Sequence, residues 1–249
     1  MPRQRVELVL RVPESSLKGS VFITGFPGFG RVGYVVPKYI STSMSLSKAG
    51  FFVTPRLPSV IVMEDDGVGF PFEIYYGRAG GRALTVMVNR AVPDPAEQGV
   101  FCSELAKWVA DVGFDFVVLV GGLSREYEPP NEQYGYRWLH NSHYKGPRLR
   151  APLMPSGLGV IGPLALLHIY LEQQGVPSVM VLPFSVVEDV DYDAALVGVR
   201  TVLGELLGLQ VETSELERLA AKQKEEMEKI AEILAQGRRP ERGGTNIYM

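Results

Sequence analysis

The sequence predicts an α/β fold, a three-layer sandwich in which helices cover both faces of a mainly parallel central sheet. Short apolar runs typical of strands alternate along the chain with longer segments of helical periodicity. The runs 21–24 and 116–120 are apolar almost throughout, as expected for strands that are buried on both faces. With 249 residues, the chain is long enough to bury a full core of this kind.

The strands are predicted from apolar runs and from the glycine, proline and aspartate residues that bound them. Val6, Leu8, Leu10 and Val12 recur at every second position, which predicts a first strand with one buried face. The other predicted strands are 21–24, 59–64, 70–76, 83–89, 116–120 and 178–182.

Helices are predicted between these strands. The first follows a glycine-rich turn, Gly25–Gly33, and runs toward Ser43. Pro37 lies inside it, so we expect an early start or a kink there, because proline lacks the backbone N–H that a helix interior uses. The other predicted helices are 95–111, 160–174 and 191–207.

The stretch from Leu123 to Pro155 breaks the alternation. Aromatic residues lie there among prolines, asparagines and glycines, which predicts a long loop or irregular excursion. Loops of this length in a compact body usually have a function or form an interface, and we interpret this one as an oligomer contact. Its aromatic residues are Tyr127, Tyr134, Tyr136, Trp138 and Tyr144.

A final amphipathic helix is predicted over residues 212–236. The motif Ser214–Glu217 is a capping box, and Gly237 is a typical helix-ending residue. Apolar side chains then recur at alternating steps of four and three residues, a narrow seam that suits a partner helix and the protein's own surface equally well. The seam residues are Leu216, Ala220, Gln223, Met227, Ile230 and Leu234.

The chain ends in a linker rich in glycine, proline and arginine, followed by Ile247, Tyr248 and Met249. Termini are usually polar, so an aliphatic residue and a tyrosine beside the terminal carboxylate indicate a docking element. The alternative is that these residues fold back onto the body. The predicted organisation is an α/β body over 1–211, the helix over 212–236 and a flexible tail over 237–249.

Composition narrows the classes of function. A net charge of −3 argues against a nucleic-acid groove as the main site. The single cysteine, Cys102, excludes an intramolecular disulfide and fits a reducing compartment. The most apolar segment, 160–171, is too short to span a bilayer. We therefore expect a cytoplasmic protein that binds neither nucleic acid nor membrane.

The glycine-rich turn matches a dinucleotide-binding fingerprint at Gly28, Gly30 and Gly33. The segment 49–54, however, has no carboxylate to bind a ribose, and no lysine suits a nucleotide P-loop. A tight turn that needs small residues explains the glycines better. The competing hypothesis is a small-molecule enzyme that binds an anion at this turn, together with Gly121 and Gly122.

Other candidate chemistry is weak. His140 and His143 have no evident third metal ligand, and Ser156 lacks the upstream glycine of a nucleophile elbow. Ser156 is interpreted as a loop residue and helix N-cap, and His168 as a hydrogen-bonded core residue. Cys102 has no basic neighbour in sequence to lower its pKa. The sequence therefore predicts no catalytic residues, no metal and no cofactor.

Several stretches together resemble the proteasome assembly chaperone family, in its archaeal ATP-independent branch. The resemblance covers most of residues 5–230, and it rests on the order of motifs that are each weak alone. They are the glycine-rich turn, the strand end Val118–Gly122, Ser156–Gly159 with its following helix, Asp191–Ala195 and Leu206–Leu209.

This resemblance implies a phosphorylase/hydrolase-like fold, no established catalytic residues and a homo-oligomer, with a tetramer favoured. The end Ile247, Tyr248 and Met249 matches the hydrophobic–Tyr–X motif that docks on proteasome α-rings. In proteins with this motif, the tail enters a pocket between adjacent α-subunits, where a lysine binds its carboxylate. The resemblance thus implies a non-catalytic protein, an assembly chaperone or an activator or adaptor, that binds proteasome α-subunits.

Overall fold

The computed structural model describes residues 5–186 and 189–237. Its strands are β1 (Glu7–Leu10), β2 (Val21–Gly25), β3 (Ser47–Val53), β4 (Val62–Glu64), β5 (Gly67–Gly69), β6 (Phe72–Ala79), β7 (Arg82–Asn89), β8 (Val117–Val120), β9 (Leu123–Ser124), β10 (Tyr136–His140) and β11 (Ser178–Ser185). Its α-helices are α1 (Val32–Ser43), α2 (Gln98–Val112), α3 (Pro163–Gln173), α4 (Tyr192–Val199) and α5 (Ser214–Gly237).

The described strands form a nine-stranded sheet and a separate two-stranded hairpin, β4–β5. The main sheet has the order β1-β3-β6-β7-β2-β8-β11-β10, and β9 pairs with the end of β11. The neighbours β7, β2, β8 and β11 are parallel, whereas the strands on both flanks are antiparallel. The predicted α/β sandwich is confirmed, with its parallel part at the centre of a mixed sheet.

Helices cover both faces of this sheet. On one face α1 packs against α4, and α4 against α5; on the other, α2 packs against α3. Each face has its own apolar core, and every side chain of β2, β8 and β11 is buried between the two. This double burial is what continuous apolar runs predict for central parallel strands.

Four of the described strands were not predicted: the short β5 and β9, and the longer β3 and β10. β3 begins with the polar pair Ser47 and Lys48 and carries a bulge before Gly50, so its apolar pattern is too short to recognise. β10 lies inside the stretch 123–155 that was predicted to be irregular, and it pairs antiparallel with β11. The prediction of irregular structure was wrong for β10, because a short edge strand between turns shows only a brief alternation of apolar and polar residues.

The aromatic residues of this stretch divide into two groups. Tyr136, Trp138 and Tyr144 are buried, and the indole N–H of Trp138 donates to the carbonyl oxygen of Ala151 at 2.8 Å. Tyr127 and Tyr134 are 53% and 40% exposed. Most of the set therefore belongs to the core, and only the exposed pair is accessible to another subunit.

The predicted helices are present, with shifted ends. α1 begins at Val32 and continues through the buried Pro37. α3 begins at Pro163, after Gly162 in a left-handed conformation, so Ser156 is not its N-cap. α4 continues into a π-helical segment, Arg200–Leu206, and Asp191 caps its start by accepting the N–H of Ala194 at 2.9 Å.

Candidate functional site

The carboxyl ends of parallel strands are where α/β proteins usually bind ligands, so we consider that edge of the sheet first. β2 ends in the glycine-rich turn, and β8 ends beside Gly121 and Gly122. A Cβ atom on Gly122 would lie 2.4 Å from the backbone oxygen of Phe29. The turn after β2 therefore fills the crevice between the two strand ends with its own backbone.

Gly30 is the tightest point of the turn. Its φ angle is 56°, and a Cβ atom there would lie 1.8 Å from Oγ of Ser185 and 2.7 Å from Cβ of Asp191. The turn is also held by a hydrogen bond from the backbone N–H of Asp191 to the carbonyl oxygen of Gly30, at 2.9 Å. The positive φ and the close contacts both require glycine.

Gly33 is required by packing rather than by conformation. A Cβ atom there would lie 2.2 Å from the backbone oxygen of Phe26 and 2.8 Å from that of Val120. Glycine at this position lets α1 lie directly against the ends of β2 and β8. Gly30 and Gly33 thus serve contacts within the chain, as predicted, whereas a Cβ atom on Gly28 would meet only the backbone oxygen of Phe26, at 3.9 Å.

The electrostatics of the turn also disfavour an anion. The carboxylate of Asp191 is buried beside Gly30. It accepts hydrogen bonds from the N–H of Ala194 at 2.9 Å, the N–H of Val186 at 3.1 Å and the hydroxyl of Ser185 at 3.3 Å. The guanidinium of Arg125, 3.5 Å from Asp191, offsets part of this negative charge, and the remainder disfavours a phosphate at the turn.

The other candidate residues have structural surroundings. Nδ1 of His168 lies 3.0 Å from Oγ of the fully buried Ser178, and burial lowers the pKa of this imidazole. Burial raises the pKa of the Cys102 thiol to about 12. His143 lies on the surface, 3.8 Å from Glu172. Within residues 5–186 and 189–237, no three His, Cys, Asp or Glu side chains are grouped to hold a metal.

A buried ionic network was not predicted. The guanidinium of Arg90, 2% exposed, lies 2.8 Å from Glu64 and 3.0 Å from Glu73, and it donates to the hydroxyl of Tyr75 at 3.1 Å. Burial acts to raise the pKa of Glu64, but hydrogen bonds from Arg90 and Lys38 outweigh it and hold that pKa below its usual value. This network fastens the β4–β5 hairpin to the sheet.

The apolar seam of α5 is only half used by the body. Leu216 and Ala220 are buried against the core, which the predicted seam allowed. Gln223 bonds to the N–H of Tyr192 at 3.2 Å and to the carbonyl oxygen of Val190. Every described side chain of α5 after Gln223 is exposed.

Beyond Gln223, α5 forms one wall of an open groove of about 570 Å³, which we call the α5 groove. Its apolar lining includes Met227 and Ile230, each 58% exposed, and Val186, which is 36% exposed. The rest of the lining is mainly polar or charged: Ser124, Arg125, Glu126, Ser185, Asp189, Val190, Gln223 and Glu226. The sequence showed the seam but not the groove, because other lining residues, such as Val186 and Val190, lie far from α5 in sequence.

The predicted docking residues Ile247, Tyr248 and Met249 lie outside the described residues. So does the predicted tail, except for Gly237, where α5 ends. The described part of the chain contains no helix that is long and apolar enough to cross a membrane.

The fold and the closed turn define an α/β sandwich protein whose usual ligand crevice is filled by its own chain. The chain belongs to the PAC2 family, whose model matches residues 22–231. No curated relative matches the chain in sequence.

Solved structures share the fold at low sequence identity. PbaB of Pyrococcus furiosus, described as an archaeal proteasome activator, is 19% identical, with a TM-score of 0.73 over 92% of this chain and 99% of its own. PbaA of the same organism, described as an archaeal homologue of proteasome-assembly chaperone, is 18% identical, with a TM-score of 0.77 over 95% of each chain. A proteasome-assembly chaperone homologue of Mycobacterium tuberculosis is 16% identical, with a TM-score of 0.61 over 84% of this chain and 94% of its own.

Proposed function

We propose that this protein is a non-catalytic, cytoplasmic proteasome-binding protein, an assembly chaperone or an activator or adaptor. Membership of the PAC2 family supports a proteasome-related role, since structures with this fold include a proteasome activator and assembly-chaperone homologues. The filled crevice at Gly30 and Gly122 disfavours the competing hypothesis of an enzyme with an anion site at the turn.

We propose that the docking element is the chain end Ile247, Tyr248 and Met249, which would enter pockets between α-subunits of the proteasome. The observation that carries this proposal is the exposure of α5. After Gln223, none of its described side chains is buried, so the helix leads the chain away from the core. Ile247 would supply apolar burial, Tyr248 a ring with a polar tip, and Met249 its carboxylate.

The proposal includes a homo-oligomer, for which the family resemblance favours a tetramer. One docked tail would give an affinity of about −4 to −8 kcal/mol after ordering costs, which is millimolar to micromolar. Several tails on one body would raise the avidity by about two to four orders of magnitude if they dock together. An apolar surface suited to a subunit contact lies at the β4–β5 hairpin. Ile61, just before the hairpin, is 71% exposed, and Met63, within it, is 78% exposed.

The test is binding of the full chain to isolated α-rings, measured by surface plasmon resonance. Tyr248→Ala, or one extra residue after Met249, should reduce binding at least tenfold, because each removes a contact made by the terminal motif. Met249→Ala is the matched control and should bind nearly normally, since the carboxylate stays in place. All variants should keep the melting temperature of the parent chain. Unchanged binding by both the Tyr248→Ala and the extended chain would contradict the proposal.

A further inference from the structure

We propose that the α5 groove binds the end of this same chain, residues 238–249, and so holds the docking element in reserve. The consequence for α-rings rests on the proposed function, but the contact itself does not. Three features of the groove and of the chain support it: the composition of the lining, the length of chain available, and the charge on each side.

The lining suits an apolar segment. Met227, Ile230 and Val186 present apolar surface within a volume of about 570 Å³, which is in the usual size range for binding pockets. The end of the chain carries a matching apolar set in Ile247, Tyr248 and Met249. Burial of this set would cover surface on both sides, which is favourable in water.

The length of chain is sufficient. From Ile230 to Gly237 the helix rises about 10 Å. Residues 238–246 could extend back over at most about 30 Å, and as a flexible linker they would sample about 15–18 Å. Ile247 can therefore return to the level of Ile230 without unwinding α5.

The charges are complementary. Among the described residues that line the groove, the acids Glu126, Asp189 and Glu226 outnumber the cation Arg125. The linker has the opposite balance, with Arg238, Arg239 and Arg242 against Glu241. The positive linker and the mainly acidic groove therefore attract each other, most strongly at low salt.

Arg125 suits the terminal carboxylate. Its side chain is 50% exposed, and its two ion pairs, to Glu128 and Asp191, are both long at 3.5 Å. A guanidinium has five N–H donors, so it can donate two parallel hydrogen bonds to a further carboxylate. The groove thus offers both an apolar floor and a cation for the terminal carboxylate.

The groove and an α-ring would then compete for the same residues. A short flexible linker gives an effective concentration in the millimolar range, so even a weak contact within the chain would be populated. The apparent affinity for a partner falls in proportion to the fraction of tails that are free to bind it. A tail that is docked four-fifths of the time would weaken α-ring binding about fivefold.

The contact is tested in the full chain by pulsed electron–electron spin resonance. One label is placed in the tail with Thr245→Cys, and one on the exposed loop with Asn131→Cys. The native Cys102 should stay unlabelled, because its thiol is buried and its pKa is raised to about 12. A tenfold excess of unlabelled chain isolates distances within one molecule.

A narrow distance distribution that broadens in the double variant Met227→Asp, Ile230→Asp is the expected result. Both side chains are exposed, so the variant should fold, which an unchanged melting temperature would verify. Ile169→Asp, at a residue 60% exposed on the other face of the sheet, is the matched control and should keep the narrow distribution. A broad distribution in the parent chain, or one unaffected by the groove variant, overturns the proposal, as does a narrow distance that vanishes on dilution.

Binding to α-rings supplies the second readout. The groove variant should bind about two- to tenfold more tightly than the parent chain, whereas Ile169→Asp should not change binding. If the narrow distance is found but no variant binds α-rings, the proposed function fails and the groove contact stands. If α-rings bind every variant equally and the distance is broad, the groove contact fails and the proposed function stands.

Discussion

Replacing Gly30 by alanine would place a methyl group where the chain has no room for one. The φ angle of 56° is left-handed, and this conformation costs a residue with a Cβ atom about 1–2 kcal/mol. The new Cβ would lie 1.8 Å from Oγ of Ser185, so that hydroxyl must move and lose its bond to Asp191, a further cost of about 1 kcal/mol.

The expected loss for Gly30→Ala is therefore about 2–3 kcal/mol in the free energy of unfolding. For a chain of this size, that loss lowers the melting temperature by about 4–12 °C. Differential scanning calorimetry measures the change directly. Gly28→Ala is the matched control, because a Cβ at Gly28 would meet only the backbone oxygen of Phe26, at 3.9 Å.

A double-mutant cycle isolates the contact with Ser185. In a Ser185→Ala background, the closest contact at 1.8 Å is gone and the cost of Gly30→Ala should fall by about 1 kcal/mol. Equal melting temperatures for Gly28→Ala and Gly30→Ala would refute this packing account. Phosphate- or nucleotide-dependent stabilisation of the parent chain that Gly30→Ala abolishes would favour the enzyme hypothesis instead.

Three further predictions follow from the described residues, and one from the oligomer proposal. Arg90→Met should cost about 3–5 kcal/mol in urea unfolding, because it leaves the buried carboxylate of Glu73 with Lys48, 3.6 Å away, in place of the closer Arg90. Since the folded pKa of Glu64 is depressed, its contribution is present at neutral pH and is lost as pH falls through that folded pKa. Glu64→Gln should therefore flatten the acid limb of stability against pH, below about pH 4.5. Cys102 should react with a thiol reagent at pH 8 only as fast as the protein unfolds, which a colorimetric time course measures. Light scattering at micromolar concentration should give a mass above 27.4 kDa, and a monomer would remove the avidity argument.

Continuous apolar runs made the centre of the fold predictable. β2, β8 and β11 are buried on both faces, so their sequences show the requirement directly. β3 and β10 were missed because each depends on a partner strand that is distant in sequence. Local composition does not record such pairings.

The network around Arg90 shows the same limit. Glu73 lies in β6 and Arg90 follows β7, and each looks like an ordinary charged residue in sequence. Only the pairing of β6 with β7 and the position of the β4–β5 hairpin bring the charges together. Burial of a charge is a property of the folded chain, so the sequence gives no signal of it.

The candidate site was predictable in part. The seam of α5 was visible from its spacing, but its division into a packed half and an exposed half depends on how far the core extends along the helix. The structural interpretation of the glycine-rich turn followed from the missing carboxylate in 49–54, and the contacts of Gly30 supply its physical reason. The docking role of Ile247, Tyr248 and Met249 rests on resemblance and remains a prediction.

The most direct test of the central claim compares α-ring binding by the full chain and by a chain ending at Asn246. Both keep α5 and the linker, so they differ only in the three proposed docking residues. The account predicts that the Kd of the shortened chain for α-rings is at least tenfold higher than that of the full chain. Its melting temperature should stay within about 2 °C of the parent, as expected for a change outside the core. Unchanged affinity of the shortened chain would contradict the account, because the tail would then not be the docking element.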